Sequence, residues 1–123
     1  MKLLQRINEI EVHHQRTYIV IVNDKKIQVY PEDTSKGTIN WYKADEQCRA
    51  LPGRGWRLPT IEELEAMHKQ LYVKGKGNFK SGFYWSSSQR SYGPVLTMSF
   101  DKDFTSDFYK ENDFLQVRPV RHI

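Results

Sequence analysis

The stretch "GWRLPTIEELEAM", residues 55 to 67, places three glutamates within four positions, just behind a proline and a threonine. Two readings compete. Glu62, Glu63 and Glu65 could be a carboxylate cluster that does chemistry, or they could open a helix. Thr60 and Glu63 decide between them. Together they form T-x-x-E, a capping box, in which each side chain satisfies a backbone N–H at the other residue. Pro59 cannot carry a helix backwards from that cap. The glutamates lie in or near the first turn, where the helix dipole favours negative charge. Ile61, Leu64, Met67, His68 and Leu71 then share one face, as a buried helix stripe requires. The carboxylates therefore start a helix, and none of them needs a catalytic role.

A second helix precedes this one. In "NWYKADEQCRALPG", residues 40 to 53, Asn40 is a good N-cap. Trp41, Ala44, Cys48 and Leu51 fall on one face, and Pro52-Gly53 ends the run. Upstream, "YIVIV" (18–22) is β-branched and apolar throughout, which predicts a strand buried on both faces. Asn23 to Lys26 has turn chemistry, and Ile27, Val29 and Pro31 then alternate with polar neighbours. "PEDTSKGT" (31–38) reads as a loop, and "VKGKGNFKSG" (73–82) as a flexible basic loop.

Beyond it, "FYWSSS" (83–88) is strand-like. "GPVLTMSF" (93–100) alternates, with Leu96, Met98 and Phe100 opposite Val95, Thr97 and Ser99. "DFTSDFY" (103–109) reads as a short strand or a loop. "DFLQVRPVR" (113–121) reads as a last strand, with Pro119 marking an edge or a bulge. Strands, two helices, then strands again predict an α+β fold. At 123 residues the chain is expected to form one domain, 1–123, around one core.

Composition excludes several classes. The chain is 28% charged and 38% hydrophobic, an ordinary globular balance. A single cysteine, Cys48, rules out an internal disulfide. The apolar run Leu3-Leu4 is too short for a signal peptide, and no stretch is long enough to span a membrane, so no membrane association is expected. As given, the chain is expected to be cytoplasmic, or exported with its leader removed. The net charge of +4 is scattered, and no groove-reading motif is present, so nucleic acid is not an expected partner. His13 and His14 are adjacent, so in an extended segment they point to opposite faces and cannot chelate one ion. Asp101, Asp103 and Asp107 only faintly echo a calcium loop, without the glycine and distal glutamate of an EF-hand. No metal and no cofactor is expected.

Three blocks carry a resemblance: W-x-x-A-x-x-x-C (Trp41, Ala44, Cys48), W-R-L-P-T-x-x-E-L (Trp56 to Thr60, Glu63, Leu64), and an aromatic-Trp-Ser-Ser strand (Trp85 to Ser87), followed by Phe100 and a closing V-R-P-V-R (Val117 to Arg121). Over about residues 38 to 121 the chain resembles the bacterial major paralogous domain family first recognised in Fibrobacter succinogenes. More distantly it is similar to formylglycine-generating enzymes and to variable proteins of diversity-generating retroelements. The resemblance implies a C-type lectin-like fold, with two helices flanking a small twisted antiparallel sheet and the first and last strands paired. It also implies that Trp56 and Leu58 pack the helix entrance, that Arg57 bonds loop carbonyls, and that ligands bind on the strands and loops after the second helix. In the retroelement proteins that region is diversified and rich in asparagine. The matching span here, about 87 to 113, holds only Asn112.

The sequence therefore reads as a non-catalytic module that binds a protein or glycan ligand. The candidate surface is Ser88, Gln89, Arg90, Tyr92, Thr97, Ser99, Asp107 and Tyr109, a mixture of hydroxyls, amide, charge and aromatic rings suited to adaptable polar contact. Two alternatives remain at this stage: an enzyme of the formylglycine-generating type, which the missing second cysteine disfavours, and a structural subunit of a surface or phage-like assembly.

Overall fold

The computed structural model describes residues 17–34, 37–91 and 93–123. His13, His14 and Tyr92 lie outside the described residues. The fold is α+β. Strands β1 (Tyr18–Val22) and β2 (Lys25–Val29) are followed by helices α1 (Trp41–Ala50) and α2 (Ile61–Gln70). Strands β3 (Phe83–Gln89), β4 (Val95–Ser99), β5 (Phe104–Phe108) and β6 (Val120–His122) complete the chain. Among the described residues they form two three-stranded antiparallel sheets, β1-β2-β6 and β3-β4-β5, where one sheet was expected. The closing strand pairs with β2, not with the first strand β1.

The β1–β2 hairpin turns on two residues, Asn23 and Asp24, at φ 51° and 65°. Such a tight turn needs positive φ at both positions, which Asn and Asp tolerate better than most residues. The strand therefore resumes at Lys25, inside the stretch expected to be turn. β1 is buried on one face only: Val20 is buried, while Ile19 and Ile21 are each 54% exposed. Among the described residues it is an edge strand, and an edge strand in a small sheet needs only one apolar face. Its open edge is partly closed by Gln70 of α2. That amide accepts from the Ile21 N–H at 2.9 Å and donates to the Ile21 carbonyl at 2.8 Å, occupying groups that another strand would otherwise bind.

Both helices start as the sequence predicts. The Asn40 side chain accepts from the Lys43 N–H at 2.9 Å. Thr60 Oγ1 accepts from the Glu63 N–H at 3.2 Å, and Glu63 Oε1 accepts from the Thr60 N–H at 2.8 Å. Ile61, Leu64, Met67 and Leu71 are buried. Each such side chain contributes about 1.5–3 kcal/mol, so packing outweighs the cap, which is worth about 0.5–2 kcal/mol. The cap sets where the helix begins. Arg57 adds a fork onto Glu63, with Nη1 and Nη2 at 2.7 and 2.8 Å from the two carboxylate oxygens. Its main partner is thus a carboxylate, and the expected loop carbonyl is only a longer contact, Leu58 O at 3.3 Å.

The chain after β5 is a spine rather than one continuous strand. Leu115 bridges Ile39, Gln116 bridges Tyr84, and Val120 bridges Arg57. Regular pairing begins only past Pro119, whose carbonyl accepts from the Tyr30 N–H at 2.9 Å. In the middle sits Arg118, fully buried. Its Nε lies 3.0 Å and its Nη2 2.9 Å from Asp33 Oδ1. The remaining N–H groups reach the carbonyls of Gly77, Asn78 and Tyr30 at 2.6, 3.2 and 3.4 Å. The guanidinium thus makes four hydrogen bonds and one further ion-pair contact, and its central carbon lies 4.1 Å from the Phe79 ring centre. Asp33 also accepts from the Tyr84 hydroxyl at 2.9 Å. This network gives the basic stretch 73–82 a structural role. A 3-10 turn forms at Tyr72–Lys74, and Gly77 is buried at φ 92°, where a Cβ would collide with the Phe79 ring.

Burial alone would raise the pKa of Glu63. The Arg57 hydrogen bonds, the Thr60 N–H and the Arg57 charge outweigh it and hold the carboxyl below its ordinary 4.5. A depressed folded-state pKa means that this stabilisation is complete above about pH 4.5 and is lost as pH falls through the lower folded value. Urea midpoints measured from pH 7 to 3 are expected to fall with acid. In Glu63→Gln the protein should lose about 1–2 kcal/mol at pH 7 and show a shallower decline. An unchanged acid slope in that variant would contradict the assignment.

Candidate functional site

Of the eight residues expected on one surface, Tyr92 lies outside the described residues and the other seven divide into two sets. Thr97 and Ser99 are buried, which corrects their placement on the outside. The Thr97 hydroxyl donates to the Ser106 carbonyl at 3.1 Å and the Ser99 hydroxyl to Asp101 at 3.0 Å. Both faces of β4 are covered, one by the core around Met98 and Phe100 and the other by the core around Trp85 and Val95. Ser88 is half-buried, and its hydroxyl accepts from the Ile61 N–H at 2.9 Å. It satisfies one of the free donors at the start of α2. Ser86 is also buried, beside the fully buried Trp85. Most of the serine run is therefore committed to structure: the register shifts between Trp85 and Gln89, and side-chain oxygens meet the backbone groups that this irregularity frees.

Gln89, Arg90, Asp107 and Tyr109 remain on the surface. Arg90 Nε lies 3.0 Å from each Asp107 oxygen. Gln89 Oε1 accepts from the Lys110 ammonium at 3.0 Å. That ammonium sits 4.0 Å above the Trp41 ring and 5.8 Å from the Tyr42 ring, and the two rings meet edge to face at 5.5 Å. The backbone N–H of Trp41 donates to the Lys110 carbonyl at 3.1 Å, so the first turn of α1 is tied to the segment after β5. Tyr42 is 51% exposed and Tyr109 61%. Lys110 and the Trp41–Tyr42 pair did not emerge as site residues from the sequence. The available signal was two adjacent aromatics behind an N-cap, only one of which can face the core.

The surface can offer hydrogen bonds in both directions, two cations, one carboxylate and exposed aromatic rings. Tyr84, the fully buried phenol, has its pKa raised by burial first and by Asp33 second. The carboxylates of the acidic segment point to separate partners. Asp101 accepts from the Gly82 N–H at 2.7 Å and from Ser99, and these bonds hold its pKa down. Asp103 lies 3.6 Å from His68 Nδ1, and Asp107 pairs with Arg90. Among the described residues no group of three or more His, Cys, Asp or Glu converges as a metal site would require, and no helix is long and apolar enough to cross a membrane.

A search of protein-family models and of curated proteins finds no match to the chain.

Cys48 is fully buried in the core formed by Ala44, Leu58, Trp85 and Val95. Burial, then the Asp45 charge, push its thiol up to about 12, and a thiol at that value is scarcely nucleophilic at neutral pH. In native protein at pH 8, Ellman's reagent is expected to label Cys48 at least about a hundredfold more slowly than in urea. Fast stoichiometric labelling of the folded chain would contradict this environment.

Proposed function

We propose that the chain is a non-catalytic recognition module that binds a protein or glycan ligand through the surface formed by Gln89, Arg90, Asp107, Tyr109 and Lys110 with Trp41 and Tyr42. The observation that carries this reading is the fixed polar frame beside exposed rings. Arg90 is locked to Asp107, and Lys110 is held between Gln89 and Trp41. Side chains already held in place lose little freedom on binding, and tyrosines supply large contact area at low entropic cost. An aromatic ring flanked by amide, guanidinium and carboxylate suits stacking against a sugar or a loop of a protein partner.

We further propose a C-type lectin-like fold of the major paralogous domain type. Three features support it. Two helices stand between the N-terminal hairpin and the later strands, Trp85 of the Trp-Ser-Ser strand is buried, and the closing V-R-P-V-R runs back to pair with the N-terminal hairpin. In this reading the residues after α2 carry recognition while the capped helices serve as scaffold. Nothing about Cys48 favours the formylglycine-generating alternative, because that chemistry needs an accessible thiol and this one is enclosed.

Glycan and protein arrays probed with wild type, Tyr109→Ala and Arg90→Ala, with calcium and with chelator, test the surface. Wild type should select a specific ligand. Each substitution should weaken binding about tenfold or more, the scale of an interface anchor. Absence of any specific ligand, or equal binding by all three proteins, would remove this surface from consideration.

A further inference from the structure

A groove of about 640 Å³ runs between α2 and the β4–β5 hairpin, apart from the surface described above. Its lining includes Glu65, His68, Lys69, Val73, Met98 and Asp103. His68 is the informative residue. Its side chain is only 10% exposed, and Nε2 lies 2.9 Å from the Phe100 carbonyl. A carbonyl can only accept, so Nε2 carries the hydrogen, and in the neutral ring Nδ1 presents a lone pair. The ring is held by stacking on Tyr72 at 5.4 Å and by the edge contact with Phe100 at 5.5 Å. Nδ1 then faces Asp103 Oδ1 at 3.6 Å. That separation is too long for a hydrogen bond, and two acceptors facing each other attract a donor between them.

The surroundings specify the donor. Glu65 adds a second carboxylate, and Lys69 supplies the one opposing charge among these lining residues. Two carboxylates against one ammonium leave the fixed charge of these lining residues net negative on a chain of net charge +4. Val73 and Met98 provide aliphatic wall. A hydrated metal ion would find one nitrogen and scattered oxygens, short of a coordination set. An ammonium on a hydrocarbon stem matches the groove better: its head can donate to Nδ1 and Asp103 together, and its methylenes can lie on Val73 and Met98.

We infer that this groove binds the side chain of a lysine presented by a protein partner. The site does not depend on the Gln89–Lys110 surface, so either can fail alone. The test is a titration of the ¹⁵N-labelled full chain with Nα-acetyl-lysine methylamide, followed through the ring nitrogens of His68. The expected result is a saturable shift at Nδ1. Asp103→Asn should weaken binding at least about fivefold; this residue is 71% exposed at its side chain, so the fold should tolerate the change. The norleucine analogue, which has the stem without the ammonium, should give no shift. No response at His68, an equal response to norleucine, or unchanged affinity in Asp103→Asn would each overturn the inference.

Discussion

A guanidinium sealed from water must find a carboxylate, and in this protein that requirement draws distant parts of the chain together. Arg118 is fully enclosed and Asp33 nearly so. Taking two such charges out of water costs several kcal/mol each, and the cost is recovered only when geometry and additional hydrogen bonds are nearly complete. Here they are. Arg118 reaches the carboxylate and three carbonyls from two loops, while Tyr84 of β3 completes the Asp33 side. The two sheets share no strand, yet both join the closing segment: Gln116 bridges β3, and Val120 pairs with β2. Arg118 sits between those two attachments. The network therefore fixes the segment on which the relative placement of the sheets depends.

Local features were legible in the sequence, and pairings across long distances were not. Both helices follow from signals a few residues apart: Asn40 before Trp41, and Thr60 with Glu63. The β3 and β4 segments follow from apolar residues bounded by turn chemistry. By contrast, Asp33 lies 85 positions from Arg118, and a charged residue between Val117 and Pro119 reads the same whether it faces solvent or pairs inside. The division into two sheets escaped for the same reason, since it depends on which strands meet. β1 misled because an apolar run does not reveal that its second face stays open, as Ile19 and Ile21 show.

Serine and threonine caused the main error at the candidate site. A hydroxyl is equally suited to a ligand and to a backbone group left free by irregular pairing. In this fold Ser88 serves the start of α2, and Thr97 and Ser99 are enclosed. The exposed chemistry shifts toward Lys110 and the first turn of α1, so the surface joins residues from both halves of the chain. The same helix α2 whose Ile61 N–H donates to the Ser88 hydroxyl also carries His68 into the groove against β4 and β5. One scaffold element thus supports the strand that carries Gln89 and borders an acidic groove with an oriented imidazole.

The central claim is that the Arg118–Asp33 pair holds the closing segment in place. A double-mutant cycle with Arg118→Met and Asp33→Asn, followed by urea unfolding at pH 7, tests it most directly. Each single substitution should cost about 3–5 kcal/mol, because it strands the other group inside the protein. The double variant should lose clearly less than the sum of the two. Single variants within about 1 kcal/mol of wild type, with losses that simply add, would show that the segment is held by something else.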